Sequence, residues 1–284
     1  MNNKLNENTI VDLHMHSTAS DGSFTPERLV DEVKRAGVGL FALTDHDTSE
    51  NVMKVEALAL KAGIAYIPGV EISSTLEGEM FHILCYGADF QNERLRKILK
   101  ENRDKLIEKD DESIRLLIEA GFNIDYNHYL AYSYDFSRGG WKSLNYLIDL
   151  GLCKDVSDFF GNLFSGERTV PYPEFENPKN IVEAVKAAGG TAILAHPFYD
   201  VGTKIVRDTF EKFKDIGIEG VECYHPNHSE EATLFSLKWC EENNMIITAG
   251  SDCHGEFILS RKIGIPKLRI NELNLGKLES YVIL

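Results

Sequence analysis

The sequence predicts an α/β protein, a βα barrel on a parallel sheet, interrupted by a mostly helical insertion. Three observations support this. Short apolar runs alternate with amphipathic, helix-like segments in the first and last thirds of the chain. Those runs are nearly continuous in apolar residues, as expected of parallel strands covered on both faces. Histidines and carboxylates close most of them, and in barrels the reactive groups come from the C-terminal ends of several strands.

Thr9-Ile-Val-Asp-Leu reads as the first strand. Thr25-Pro26-Glu27 then starts a helix, with an N-cap hydroxyl and a proline at the first helical position. Leu29, Val30, Val33 and Ala36 supply its apolar stripe, and Gly37 ends it. Leu40-Phe-Ala-Leu-Thr is the second strand, followed by a helix from about Ser49 to Ala62. Strands three and four are read at 64–72 and 81–86. From about 90 to 120 the chain is charged and helical, with Leu95, Ile98, Leu99, Leu106, Ile114, Leu117 and Ile118 on one stripe. Helices at 141–150 and roughly 154–164 follow, and no good strand appears between 90 and 177. The βα rhythm resumes with a helix at 178–188, then strands at 191–195, 219–224 and 245–250, with helices at about 203–215 and 229–243. The expected organisation is a split barrel, 1–89 and 178–284, around an insertion at 90–177 between strands four and five.

Bulk composition narrows the function. The chain has 284 residues, 43% of them hydrophobic, enough for a real core. Its net charge of −15 argues against a long nucleic-acid groove, because such binding rests on phosphate neutralisation by Lys and Arg. The five cysteines form no C-x-x-C pair, which reads as a reduced cytoplasmic protein. The polar start carries no signal-peptide pattern, and no apolar run approaches the roughly 18 residues that span a bilayer. Oligomeric state is not legible.

Metal chemistry stands out. His14 and His16 form an H-x-H pair at the end of strand one, and Asp21 follows. His46 closes strand two, Glu71 strand three, His196 strand five, and Asp252 with His254 strand seven, while His82 lies in strand four. An H-x-H on a strand puts both imidazoles on one face. Imidazole suits zinc, manganese or iron, and a carboxylate can bridge two divalent ions. Such ions would leave the cleft locally positive inside an acidic protein, which reconciles the net charge with an anionic substrate.

The segments Asp12-Leu-His-Met-His-Ser-Thr-Ala-Ser-Asp-Gly, Thr44-Asp-His-Asp, Pro68-Gly-Val-Glu-Ile, Ala195-His-Pro and Gly250-Ser-Asp-Cys-His-Gly resemble, in order, the motifs of the polymerase and histidinol phosphatase (PHP) superfamily. The resemblance implies a distorted seven-stranded βα barrel and two or three divalent ions. His14, His16, Glu71 and Asp252 would hold one. Glu71 would bridge to a second, completed by His82 and His196. Asp21, His46 and His254 would hold a third. Asp45 and Asp47 would either orient neighbouring groups or cap loops. The implied reaction is hydrolysis of a phosphate ester by a metal-bound hydroxide.

The insertion is expected to select the substrate. Around Ser137-Arg138-Gly-Gly-Trp141 it is similar to the subgroup that dephosphorylates nucleoside 3′,5′-bisphosphates or trims short RNA from the 5′ end. A nucleotide or short RNA is therefore the expected partner, with no membrane. Arg138 is the leading phosphate-binding candidate, because guanidinium grips phosphate bidentately. Lys142 and Arg168 are weaker candidates. Tyr132, Tyr134 and Trp141 are placed either to stack on a base or to pack the insertion's core. His228 and His225, in the loop after strand six, are candidate proton donors to the leaving oxygen. Cys223 and Cys253 read as packing residues. Histidinol-phosphate phosphatase and a polymerase-associated PHP module are the competing readings.

Overall fold

The computed structural model describes residues 5–198 and 206–281. Eight strands form one sheet in the order β7-β6-β5-β4-β3-β2-β1-β8. They are β1 (Ile10–Asp12), β2 (Val38–Leu43), β3 (Ala65–Leu76), β4 (Glu79–Tyr86), β5 (Thr191–Leu194), β6 (Gly220–Tyr224), β7 (Ile246–Ala249) and β8 (Leu268–Arg269). The helices are α1 (Pro26–Ala36), α2 (Val52–Ala62), α3 (Glu93–Glu119), α4 (Tyr126–Ala131), α5 (Lys142–Asp149), α6 (Val156–Asp158), α7 (Pro178–Ala187), α8 (Val206–Ile216) and α9 (Glu230–Asn243). Past its last paired residue, β1 runs on to meet the end of β7. Met15 bridges Cys253 in parallel, and the Asp252 amide donates to the His14 carbonyl at 2.8 Å. That seam curls the sheet into a nearly closed barrel.

The α/β barrel is as expected, but the sheet is not wholly parallel. β4 runs antiparallel to both β3 and β5. The reason lies in the connection. β3 passes to β4 through Glu77-Gly78, whose φ angles of 55° and 86° make a tight hairpin turn. A parallel return needs a crossover of about a dozen residues or more, and the sequence offers none there. The reversal matters for the site, because it brings the first half of β4 to the rim where the other strands end. β8, only two residues long and antiparallel to β1, is an addition that the apolar pattern does not reveal.

Local signals are realised closely. Thr25 caps α1, Pro26 opens it, and Gly37 closes it in the left-handed region at φ 72°. Ser229 caps α9 through a 3.1 Å bond from the Ala232 amide. The helix expected over 154–164 is a single turn, α6, running into a wider turn at Phe159–Leu163 that contains Gly161, a residue that loses more freedom in a helix than any other.

Alternate residues of six strands meet inside the barrel: Val11 and Leu13, Leu40 and Ala42, Ala65 and Ile67, Leu84 and Tyr86, Ile193 and Ala195, and Ile246. Each large side chain among them is worth about 1.5–3 kcal/mol of burial. The intervening residues face the surrounding helices, which explains why the strands read as continuous apolar runs. The insertion has a core of its own, built on Ile114, Leu117, Tyr129, Leu144, Leu147 and Phe159. α3 joins the two, because Leu95, Ile98 and Leu99 pack with the barrel helices and its second half enters the insertion. Among the described residues, no helix is long and apolar enough to cross a membrane, and all five cysteines are free and buried.

Candidate metal centre

Strand periodicity builds the floor of the cleft. His14 and His16 alternate past the end of β1, so both point inward, and both are fully buried. The loop after β2 runs beside β3, where Asp47 donates its amide to the Glu71 carbonyl at 2.8 Å, and this sets His46 next to Glu71. The β3–β4 hairpin pairs His82 with Ser73, two residues from Glu71. Asp252 sits in the left-handed region at φ 50°. Asp is among the few residues that tolerate this conformation, and such strain collects at functional sites.

All nine expected ligands converge, and Glu71 is the hub. Its Oε2 lies 3.1 Å from His14 Nε2, 3.3 Å from His16 Nε2 and 3.2 Å from His46 Nδ1. Its Oε1 lies 3.0 Å from His82 Nδ1 and 2.8 Å from His196 Nε2. Asp252 Oδ1 approaches His16 Nε2 at 3.0 Å and His14 Nε2 at 3.5 Å. Asp21 Oδ2 is 3.3 Å from His254 Nε2 and 3.9 Å from His46 Nε2. His16 stands between two of these groups, since its Nδ1 also faces Asp21 Oδ1 at 3.8 Å.

The donor set fits divalent cations. His16 Nδ1 and Asp21 Oδ1 are both buried, and neither has a hydrogen-bond partner. An ion that binds nitrogen and oxygen at about 2.0–2.2 Å suits donors with this spacing. Three sets of donor atoms are close enough to share an ion: His14, His16, Glu71 and Asp252; His16, Asp21, His46 and His254; and His46, Glu71 and His82. No thiolate takes part. The fields agree with this. Burial would raise the Glu71 and Asp252 pKa values, but His14 and the other facing imidazoles hold both well below the usual carboxylate range. Burial would lower His14 and His16, yet the facing carboxylates lift His14 well above normal and His16 to about 10. The cluster therefore calls for positive charge at its centre.

A second ring of groups holds the donors in place. Glu222, on β6, was not singled out from the sequence. It is fully buried, faces His14 Nδ1 at 3.0 Å and accepts the His196 amide at 3.0 Å. A carboxylate on Nδ1 turns the Nε2 lone pair of His14 toward the cluster. The available signal was a lone Glu inside an apolar strand, which burial rules make expensive unless it is paired. Arg261, also buried, pairs with Asp252 Oδ2. Asp45 accepts from the Ser17 amide and hydroxyl and the Ser20 hydroxyl, bracing the loop that carries Asp21. Asp47 accepts from Ser73 and Asn102 and so ties the floor to α3.

The other candidates find partners within the protein. His225 is part of the floor rather than a free acid: its Nδ1 accepts the Asn227 amide at 3.2 Å, so its Nε2–H faces Asp252 Oδ2 at 3.1 Å. His228 donates Nδ1–H to the Cys223 carbonyl at 3.0 Å and packs edge-on against Phe198. Burial lowers its pKa to about 4, so near neutrality it carries no second proton to give. Arg138 gives both terminal nitrogens to Asp149 on α5 at 2.9 Å each, and it is not among the residues that line the cleft. Arg168 is likewise turned to the Leu163 carbonyl, at 2.9 Å.

The cleft above the floor encloses about 790 Å³. It opens onto Asp21, His46 and His82, the partly exposed edge of the cluster, and the insertion forms its far wall. Tyr132, Tyr134, Trp141 and Tyr172 line that wall. The cations around it are engaged: Lys54 with Glu27 at 2.9 Å, Arg103 with Glu50 at 3.5 Å, Lys109 with Asp110 at 3.2 Å, and Lys142 with the Leu130 carbonyl at 3.2 Å. The Gly139-Gly140 pair lets the insertion touch the floor. Both have φ near 71°, and the Gly140 amide donates to the Asp21 carbonyl at 2.7 Å.

With this geometry in hand, comparison with known proteins is direct. The PHP domain family matches residues 12–135. The chain is 31% identical over 246 residues to a 5′-3′ exoribonuclease of Haemophilus influenzae, an alignment covering 86% of this chain and 89% of that protein. It is 28% identical over 260 residues to a 3′,5′-nucleoside bisphosphate phosphatase of Chromobacterium violaceum, covering 89% and 90%. A solved structure from Bifidobacterium adolescentis, assigned as a metal-dependent phosphoesterase, superposes with a TM-score of 0.80 at 22% identity, covering 96% of this chain and 94% of that one; this likeness speaks to the fold.

Proposed function

The chain belongs to the PHP domain family and is a metal-dependent phosphoesterase, and on that premise we propose that it hydrolyses a phosphate ester of a nucleotide. A nucleoside 3′,5′-bisphosphate, for which one relative is named, is the first candidate, and a short oligoribonucleotide is the second, since another relative is named a 5′-3′ exoribonuclease. The observation that carries the reading is the position of Glu71. It faces five imidazoles at one end of a cleft whose other wall is aromatic.

We assign His14, His16, Glu71 and Asp252 to one ion, Glu71 with His82 and His196 to a second, and Asp21, His46 and His254 to a third. Manganese, zinc or iron suits these donors. Divalent ions bound there supply Lewis acidity toward phosphoryl oxygens and lower the pKa of water. The chain's own residues do the rest. Glu222 holds His14 at Nδ1, and His225 and Arg261 hold Asp252. The partly exposed Asp21, His46 and His82 edge receives the phosphate, and the insertion excludes water above it. Steady-state hydrolysis of adenosine 3′,5′-bisphosphate, 5′-phosphorylated dinucleotides and histidinol phosphate tests the reading in the presence of manganese. We expect the nucleotides to be preferred; turnover of histidinol phosphate alone would overturn the substrate class.

A further inference from the structure

Tyr132 and Tyr134 alternate along the extended segment between α4 and the short turn at Phe136–Arg138, and both line the cleft. Their rings are near parallel, 10° apart, with centroids separated by 6.5 Å. Stacked bases lie about 3.4 Å apart, so this separation is close to twice the thickness of an aromatic ring. Neither ring is loose. The Tyr134 hydroxyl donates to the Gly140 carbonyl at 3.0 Å, and the Tyr132 hydroxyl donates to Asp149 Oδ2 at 2.6 Å, the oxygen that Arg138 also grips. Gly140 in turn donates to the Asp21 carbonyl. Two hydrogen bonds therefore tie Tyr134 to the ligand floor, while Tyr132 is held within the insertion by Asp149.

We propose that Tyr132 and Tyr134 form a clamp for one nucleobase, so that the nucleoside, and not the phosphate alone, is the unit recognised. The proposal rests on the phosphoesterase reading above. Two further observations favour a flat, uncharged occupant. The basic groups around the cleft are already engaged by Glu27, Glu50, Asp110 and the Leu130 carbonyl. The hydroxyls of both tyrosines are committed within the protein, which leaves ring faces as what they offer. Stacking of that kind tolerates every base, since each has a π face. It also explains Arg138: through Asp149 it is a positioning residue for the Tyr132 ring.

The test compares adenosine 3′,5′-bisphosphate with its abasic counterpart, 1-deoxyribose 3,5-bisphosphate, on the metal-loaded protein. In Tyr134→Leu and Tyr132→Leu, we expect KM for the nucleotide to rise about tenfold, within the range for loss of one aromatic–base stack. The kcat should stay within about twofold, the abasic ester should be unaffected, and Tyr134→Phe should restore the KM. Equal losses on both substrates, or no loss on either, would overturn the clamp. If a leucine variant does not fold, binding of AMP to the wild-type protein decides. Hypochromism of the adenine band supports the clamp, and its absence on saturated binding refutes it. Should no phosphate ester be turned over at all, the underlying reading fails by itself, and AMP binding still reports separately on the clamp.

Discussion

The floor of the cleft and its far wall are built on opposite electrostatic plans. On the floor, seven imidazoles and the carboxylates Asp21, Glu71, Glu222 and Asp252 crowd together inside the protein, and their partners are one another. In the insertion, charges pair off singly, at the surface as Arg138 does with Asp149 or below it as Lys109 does with Asp110, and the inward face is aromatic. The floor concentrates charge where burial makes it costly, which is worthwhile only if cations complete it. On our proposal, chemistry belongs to the barrel rim and selection to the insertion, and the two meet at the contact between Gly140 and Asp21.

That division can be broken by experiment. The largest effect is expected at Glu71. Glu71→Gln leaves five imidazoles facing a neutral amide, and we expect kcat/KM to fall at least about a thousandfold, or roughly 4 kcal/mol. Metal analysis should show at least one ion lost, and a variant that keeps its full metal content and activity would sink the assignment of the floor. Glu222→Gln comes next. It touches no substrate, so a loss of about 10–100-fold in metal affinity, the usual cost of an outer-ring partner, is expected together with reduced activity. If metal affinity stays unchanged, Glu222 is packing only.

Smaller effects sharpen the boundary. Gly140→Ala places a Cβ 3.0 Å from the Phe257 ring in a left-handed backbone, a cost of about 1–2 kcal/mol. We expect a lower melting temperature and a KM raised severalfold with kcat nearly intact. A change in kcat alone would mean that the insertion acts on the chemistry and not on selection. Arg138→Ala is expected to be the mildest, less than about threefold in KM, because this half-exposed pair acts only through the Tyr132 ring. A tenfold or larger rise would return Arg138 to direct contact with phosphate.

The fold was legible where local rules act. The Thr25 cap, Pro26, Gly37 and the Ser229 cap all mark real helix ends, because each satisfies or removes backbone donors within a few residues. The direction of β4 is set by the two-residue Glu77-Gly78 turn, because an apolar run without its connection carries no direction. The nine floor residues are legible as candidates because histidines and carboxylates recur at the strand ends and fall on the family's motifs. Glu222 escaped notice because its partner, His14, is 208 positions away. Arg138, His225 and His228 are candidates by their place in the insertion and in the loop after strand six, whereas their hydrogen bonds hold them to Asp149, Asp252 and the Cys223 carbonyl.

Residue order alone determined which side chains could bind cations, since donor chemistry belongs to the side chain, and most of the strand and helix segments, since periodicity and capping are local. Only the closed barrel decided which of those side chains share a centre, which tautomer each histidine adopts, and whether a cationic group meets the ligand or a neighbour. Those outcomes depend on distances between segments far apart in the chain, and packing sets them.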